Sequence, residues 1–200
     1  MASDETLRAF IALEIGPDVR EKIADLLERL RKGAQFSGCK PSWSRVEGIH
    51  LTLKFLGNIP AGQVEAIAAA MRPLGSGTAP ITFSARGLGV FPHETRPRVL
   101  WVGIKRGMEE VVGLQKRLDE ALAPLGFEPE SREFHPHLTL ARFKSGAGVR
   151  AFMDVVRSHA RQFCGEHTAD RLTLFRSQLH PEGSRYSVLA ETPFTGAPAI

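Results

Sequence analysis

The chain is short of cysteine, of long apolar runs and of clustered positive charge, and each shortage excludes something. Its two cysteines, Cys39 and Cys164, cannot build a disulfide framework or a four-cysteine zinc site. Such sparse cysteine suits a reducing compartment, so a cytoplasmic location is expected. No apolar run approaches the roughly 20 residues that a membrane span needs. The opening Met1-Ala-Ser-Asp-Glu lacks a basic segment followed by an apolar one, so no signal peptide is expected. The formal charge is only +4, from 26 basic and 22 acidic residues with no block of either sign. A duplex-binding domain would show a basic stripe. This composition tolerates an anionic partner without naming one. There is also no Walker A loop, no G-x-S-x-G elbow and no cysteine in a nucleophilic setting.

What is present is ordinary globular material. The 200 residues are 42% apolar and 24% charged, enough to bury a core without disulfides or metal. The apolar run at 7–15 reads as a buried strand, closed by Gly16-Pro17. Val19, Ile23, Leu26, Leu27 and Leu30 then recur at helical spacing, and Gly33 stops the helix. Residues 34–48 are loop-like. A strand is expected at 49–57, a helix from Pro60 to about residue 74, and a strand at 81–90. The pattern then repeats: strand 98–105, helix 111–125, strand 134–143. Val149, Phe152, Val156, Ala160 and Phe163 extend it with another helix, before strands at 171–179 and 186–191. Both halves read strand, helix, strand, helix, strand. The expected fold is α+β and bilobal, with two pseudo-twofold-related lobes. Each lobe is a mainly antiparallel sheet with outer helices, and a central cleft lies between them. Residues 1–200 form one domain, an internal duplication of about 7–91 and 97–192. No linker rich in Pro, Gly or Ser divides the halves.

The chemistry is carried by a tetrapeptide that occurs twice, His50-Leu51-Thr52-Leu53 and His137-Leu138-Thr139-Leu140, 87 residues apart. On a strand, residues two apart share a face. Each His and Thr therefore point one way and each pair of leucines the other. With seven histidines in the chain, a lone His-x-Thr is weak, because chance supplies about 0.35 of them. His93-Glu94-Thr95, set between prolines, reads as such an accident. A single strand histidine is more often a satisfied side chain than a catalyst, and strand threonine is common. Two identical copies at equivalent places reverse that balance, since packing requires only the leucines. Imidazole titrates near neutrality, so one ring can hold a proton while the other lacks one. That is the requirement for concerted acid–base catalysis. Threonine hydroxyls can donate to a tetrahedral anion. The set suits phosphoester hydrolysis without a covalent intermediate, one His activating water and the other protonating the leaving oxygen. Residue types alone leave the two histidines interchangeable.

The paired H-x-T-x motifs, their spacing and the duplicated strand–helix pattern resemble the two-histidine (2H) phosphoesterase superfamily. More narrowly, the chain resembles the RNA 2′,3′-cyclic phosphodiesterases, the LigT or 2′-5′ RNA ligase group. The likeness runs through RAFIALEI, HLTLKFLG, GLGVFP, RPRVLWVGI, HPHLTLARF, LTLFRSQL and RYSVLAE. It implies hydrolysis of a terminal ribose 2′,3′-cyclic phosphate to a 2′-phosphate. It also implies His50 as proton donor, His137 as proton acceptor, and Thr52 and Thr139 as phosphate ligands. Five residues after each His stand Phe55 and Arg142, positions the family associates with ligand. Phe55 is a base-stacking candidate and Arg142 a phosphate-binding one. An odd spacing faces away from the His on an unbroken strand, so both need a strand end or a bulge to reach the site. Their plain alternatives are a core aromatic and a solvated charge.

His135 stands where the family pattern leads one to expect a basic residue. His135 and His137 with His50 would make a three-histidine zinc set, but the motifs lack a neighbouring carboxylate to orient such ligands. No metal and no cofactor are expected. Trp43 reads as core, and Arg98 and Arg176 as solvated or paired charges. The expected partners are RNA ends or nucleoside 2′,3′-cyclic phosphates, with no membrane and no obligate protein partner. A monomer is expected, since no long apolar face is left over. Two other functions share these residues: 2′-5′ ligation of RNA halves, and a non-catalytic RNA-end binding module.

Overall fold

A computed structural model describes residues 5–33, 40–145, 149–180 and 183–197. Among these are nine strands and four α-helices. In chain order they are β1 (Thr6–Leu13), α1 (Pro17–Gly33), β2 (Ser42–Trp43), β3 (Leu51–Pro60), α2 (Val64–Ser76), β4 (Ile81–Phe91) and β5 (Val99–Ile104). Then follow α3 (Met108–Leu122), β6 (His137–Arg142), α4 (Arg150–Ser158), β7 (Phe163–Ala169), β8 (Arg171–Gln178) and β9 (Arg185–Pro193). The α+β architecture is the one the sequence leads one to expect.

Local chemistry explains the helices. Pro17 opens α1, Asp18 lies in its first turn, and Arg31 and Lys32 lie in its last, each matching the helix dipole. Val19, Ile23, Leu26, Leu27 and Leu30 are all fully buried on one face. Burial of each such side chain contributes roughly 1.5–3 kcal/mol, more than the propensity of the helix itself. Two expectations need correction. Pro60 ends β3 rather than opening a helix; a short 3-10 turn intervenes before α2. The helix expected at 149–163 stops at Ser158, and Phe163 begins β7. Phe163 kept the helical spacing, but Gly165 has φ +100°, which suits a strand irregularity and not a helix.

The strands form one antiparallel sheet in the order β7-β4-β5-β6-β3-β1-β8-β9, with β2 paired to β6. The halves of this sheet do not coincide with the halves of the chain. β4, from the first half, pairs with β5 and β7 of the second. β8, from the second half, pairs with β1 of the first. Each half thus contributes a strand to the other's side, and neither can complete its sheet alone. The helices cover one face. α1 packs on β7 and α4, while α2 packs on β8, β9 and α3. The main core lies between helices and sheet. On the opposite face a small cluster of Phe10, Ala12 and Phe175 floors a cleft.

Candidate active site

β3 and β6 meet at the centre of the sheet through one register pair, Leu51 opposite Leu138. These are the residues that follow His50 and His137. In an antiparallel pair, one step either way places His50 opposite Thr139 and Thr52 opposite His137. Each histidine therefore neighbours the threonine of the other motif. Strand rise and spacing put the two histidine Cα atoms about 8 Å apart on the diagonal. Leu51, Leu53, Leu138 and Leu140 are buried on the helix side. The alternation of the tetrapeptide thus turns both His-Thr pairs onto the cleft face.

The odd spacing to Phe55 and Arg142 is resolved by two equivalent bulges. Thr52 pairs with Ala12 and Lys54 with Ile11, so Leu53 is the extra residue on β3. Thr139 pairs with Trp101 and Ala141 with Leu100, so Leu140 is the extra residue on β6. An extra residue inverts the alternation of all that follows. Phe55 and Arg142 accordingly join His and Thr on the cleft face. Phe55 is 63% exposed there, unusual for a large apolar ring.

Both rings are held in the same way. His50 Nδ1 lies 2.7 Å from the Gly48 carbonyl and His137 Nδ1 lies 2.7 Å from the His135 carbonyl. A carbonyl oxygen only accepts, so Nδ1 donates and the neutral ring keeps a free lone pair on Nε2. His50 stacks on Phe10 at 4.5 Å between centroids and meets Tyr186 edge-on at 5.2 Å. His137 meets Phe91 edge-on at 5.2 Å. Burial pushes His50 down to about 4, with the Arg142 and Arg20 charges acting in the same direction and the Gly48 carbonyl opposing. Burial likewise lowers His137; the His135 carbonyl opposes it, while Arg142 and His135 add to it. Both rings are therefore neutral at pH 7, and a bound anion would raise both.

Two cavities flank these groups and share Thr52, Phe55, Thr139 and Arg142. One, of about 490 Å³, holds His50. The other, of about 440 Å³, holds His137. The four shared residues form the centre, with one histidine on each side. Sequence reading missed Phe10, Tyr186 and Ser44, which shape the first cavity. Ser44 donates to the Thr139 carbonyl at 2.9 Å. It also missed Lys54, which is buried on the helix side and donates to Asp119 and to the Glu128 carbonyl. Asp119 in turn accepts from Gln115 and from the Glu130 backbone. This network ties the segment before His135 to β3.

Trp43, Arg98 and Arg176 line neither cavity, whereas His135 lines the one that holds His137. Trp43 packs edge-on against Phe152 in the core. Arg176 pairs with Glu5 at 2.8 Å, and Arg98 bonds the Lys144 carbonyl. His135 is an exposed ring near Glu133. Among the described residues no three His, Cys, Asp or Glu side chains converge as metal ligands. Cys164 is buried, its thiol pushed up to about 11 by desolvation, which makes it a poor nucleophile. Cys39 lies outside the described residues.

The sequence profile of the family described as LigT like Phosphoesterase matches the chain twice, over residues 13–101 and 102–186. The chain belongs to this family. The two matches to the LigT-like profile adjoin within β5. A curated relative from Aeropyrum pernix, named RNA 2′,3′-cyclic phosphodiesterase, is 34% identical over 170 residues, 82% of this chain and 93% of its own. Another of that name, from Methanothermobacter thermautotrophicus, is 31% identical over 182 residues, 90% of this chain and 95% of its own. A crystal structure from Thermus thermophilus has a TM-score of 0.77 at 29% identity, covering 95% of this chain and 99% of that one. The Escherichia coli LigT complexed with 3′-AMP has a TM-score of 0.73 at 23% identity over 96% and 99%, a likeness of fold. No helix among the described residues of this LigT-like phosphoesterase is long and apolar enough to cross a membrane.

Proposed function

We propose that this LigT-like phosphoesterase hydrolyses the 2′,3′-cyclic phosphate at RNA ends to a 2′-phosphate, using two histidines and no metal. The observation that carries the reading is the Leu51–Leu138 register, which sets each histidine beside the other motif's threonine. The names of the relatives supply the substrate class. Thr52 and Thr139 donate to the non-bridging phosphate oxygens, and Arg142 offsets their charge. The Nε2 lone pair of His137 takes a proton from water as its oxygen attacks phosphorus. The bond from phosphorus to O3′ breaks, and protonated His50 gives O3′ its proton. The product carries a 2′-phosphate and a 3′-hydroxyl, and solvent returns the two rings to their starting states. Donor and acceptor are assigned by the 2H resemblance. The anion itself supports loading of His50, since its charge opposes that of Arg142. The same reading makes residues 1–200 one catalytic unit, whose two halves each supply a motif.

The test is 2′,3′-cyclic AMP with EDTA and identification of the product. Undiminished turnover to 2′-AMP is expected. Loss of turnover in EDTA would refute the metal-free mechanism. A 3′-AMP product would exchange the leaving oxygen. Absence of any product would leave only an RNA-end binding module.

A second reading, 2′-5′ ligation, is favoured by the size of the cavity on the His137 side. Its volume of about 440 Å³ far exceeds the ~30 Å³ of one water. A 5′-hydroxyl of a second RNA held there would replace water and form a 2′-5′ linkage. Positioning is what such a hydroxyl needs to compete with water. Incubation with a 5′-hydroxyl oligonucleotide and detection of joined product tests it.

A further inference from the structure

Arg8 lines the His50-side cavity and is used by none of the chemistry above. It lies on β1 two residues before Phe10, whose ring supports His50. Ala9 pairs with Arg176, so one step along the register sets Arg8 opposite Ser177. Ser177 is paired in turn with Tyr186. Arg8, Ser177 and Tyr186 therefore form a row across three strands, and all three line the cavity. The row lies beyond the Phe10–Phe55 pair as seen from the threonines. From Ala12, opposite Thr52, to Arg8 is four residues, or about 13 Å of strand.

The charge of Arg8 is unmatched. Its neighbour Arg176 is paired with Glu5, and Arg20 with backbone carbonyls, whereas Arg8 has no carboxylate partner among the described residues. An exposed cation at the far end of an aromatic cavity suits a second anion. Resting on the reading of the site above, a terminal nucleotide would place its cyclic phosphate between Thr52 and Thr139 and its base on Phe55. The 5′ carbon of a ribose lies across the ring from O2′ and O3′. Its substituent would therefore project toward the row of Arg8 and Ser177. A guanidinium fork matches phosphate oxygens, and a serine hydroxyl adds a further donor.

We propose that Arg8, with Ser177, binds the phosphate on the 5′ side of the terminal nucleotide. The favoured substrate is then a 5′-phosphorylated nucleotide or an RNA chain, in preference to a free nucleoside cyclic phosphate. A nucleoside cyclic phosphate lacks the group that Arg8 holds.

Calorimetric binding of 2′-AMP and of adenosine 2′,5′-bisphosphate to the full chain reads this site without turnover. The wild type should hold the bisphosphate about tenfold or more tighter, the scale of one charge-assisted contact. In Arg8→Gln the two affinities should converge to within about twofold of each other, on the same scale. Hydrolysis of adenosine 2′,3′-cyclic phosphate with and without a 5′-phosphate should show the same preference, expressed in KM. Equal wild-type affinities would overturn the proposal, as would an Arg8→Gln loss shared equally by both ligands. Binding preference through Arg8 with no hydrolysis of either cyclic compound would support the Arg8 site and refute the hydrolytic function.

Discussion

Replacing His50 with glutamine tests whether the ring is as desolvated as its packing against Phe10 and Tyr186 makes it. Glutamine is of similar size but does not titrate. In the folded chain His50 has its pKa pushed from 6.5 to about 4, chiefly by burial. The unfolded chain therefore binds the proton more tightly, and stability falls as pH falls. The contribution is intact above pH 6.5 and lost progressively down to the folded value near 4. With these two values, linkage gives a loss of about 2 kcal/mol at pH 5 and about 0.2 kcal/mol at pH 7. His137 and His167, also lowered, act in the same direction, but they are common to both proteins and cancel in the comparison. Urea unfolding at pH 7 and pH 5 measures the difference. Between those pH values the wild type should lose about 2 kcal/mol more than His50→Gln. An identical loss in the two proteins would show that His50 titrates like an exposed ring, and the desolvation argument would fail.

Three further outcomes follow from the same geometry. Phe55→Ala should raise KM by roughly 5- to 150-fold, the equivalent of about 1–3 kcal/mol of stacking, with kcat and stability little changed because the ring is exposed. An unchanged KM in steady-state assays would remove Phe55 from the site. Lys54→Met strands Asp119 beneath α3 and should cost about 3–5 kcal/mol in urea unfolding, whereas a cost below about 1 kcal/mol would mean the pair is not buried. Arg142→Gln removes a positive charge that lowers both histidine rings, so NMR titration should find His50 and His137 both shifted upward, and phosphate should bind more weakly. Unmoved histidine titrations would place Arg142 too far away to act on them.

The alternation of His-Leu-Thr-Leu made the central strands and their cleft face legible, because strand side chains alternate with a fixed period. The same period exposed a conflict at Phe55 and Arg142, which an odd spacing turns the wrong way. The bulges at Leu53 and Leu140 resolve that conflict. Their positions depend on pairing with β1 and β5, which no local pattern encodes. The exchange of β4 and β8 between the two sides of the sheet was hidden for the same reason. β7 was hidden by Phe163, whose spacing continued a helical series past the true end of α4. Phe10, Ser44 and Tyr186 come from segments far apart in sequence, and only folding brings them to His50. Lys54 carried no local signal of its role; the bulge at Leu53 turns it under α3, onto Asp119.

The central claim is that His50 and His137 act on one phosphate from opposite sides. It is tested most directly by the turnover of 2′,3′-cyclic AMP by His50→Ala and His137→Ala, each shown by circular dichroism to be folded. Each single replacement should lower kcat by roughly 10²- to 10⁴-fold, the usual contribution of one positioned acid or base. The double replacement should cost much less than the product of the two, since both rings serve a single step. A wild-type rate in either folded variant would contradict the account.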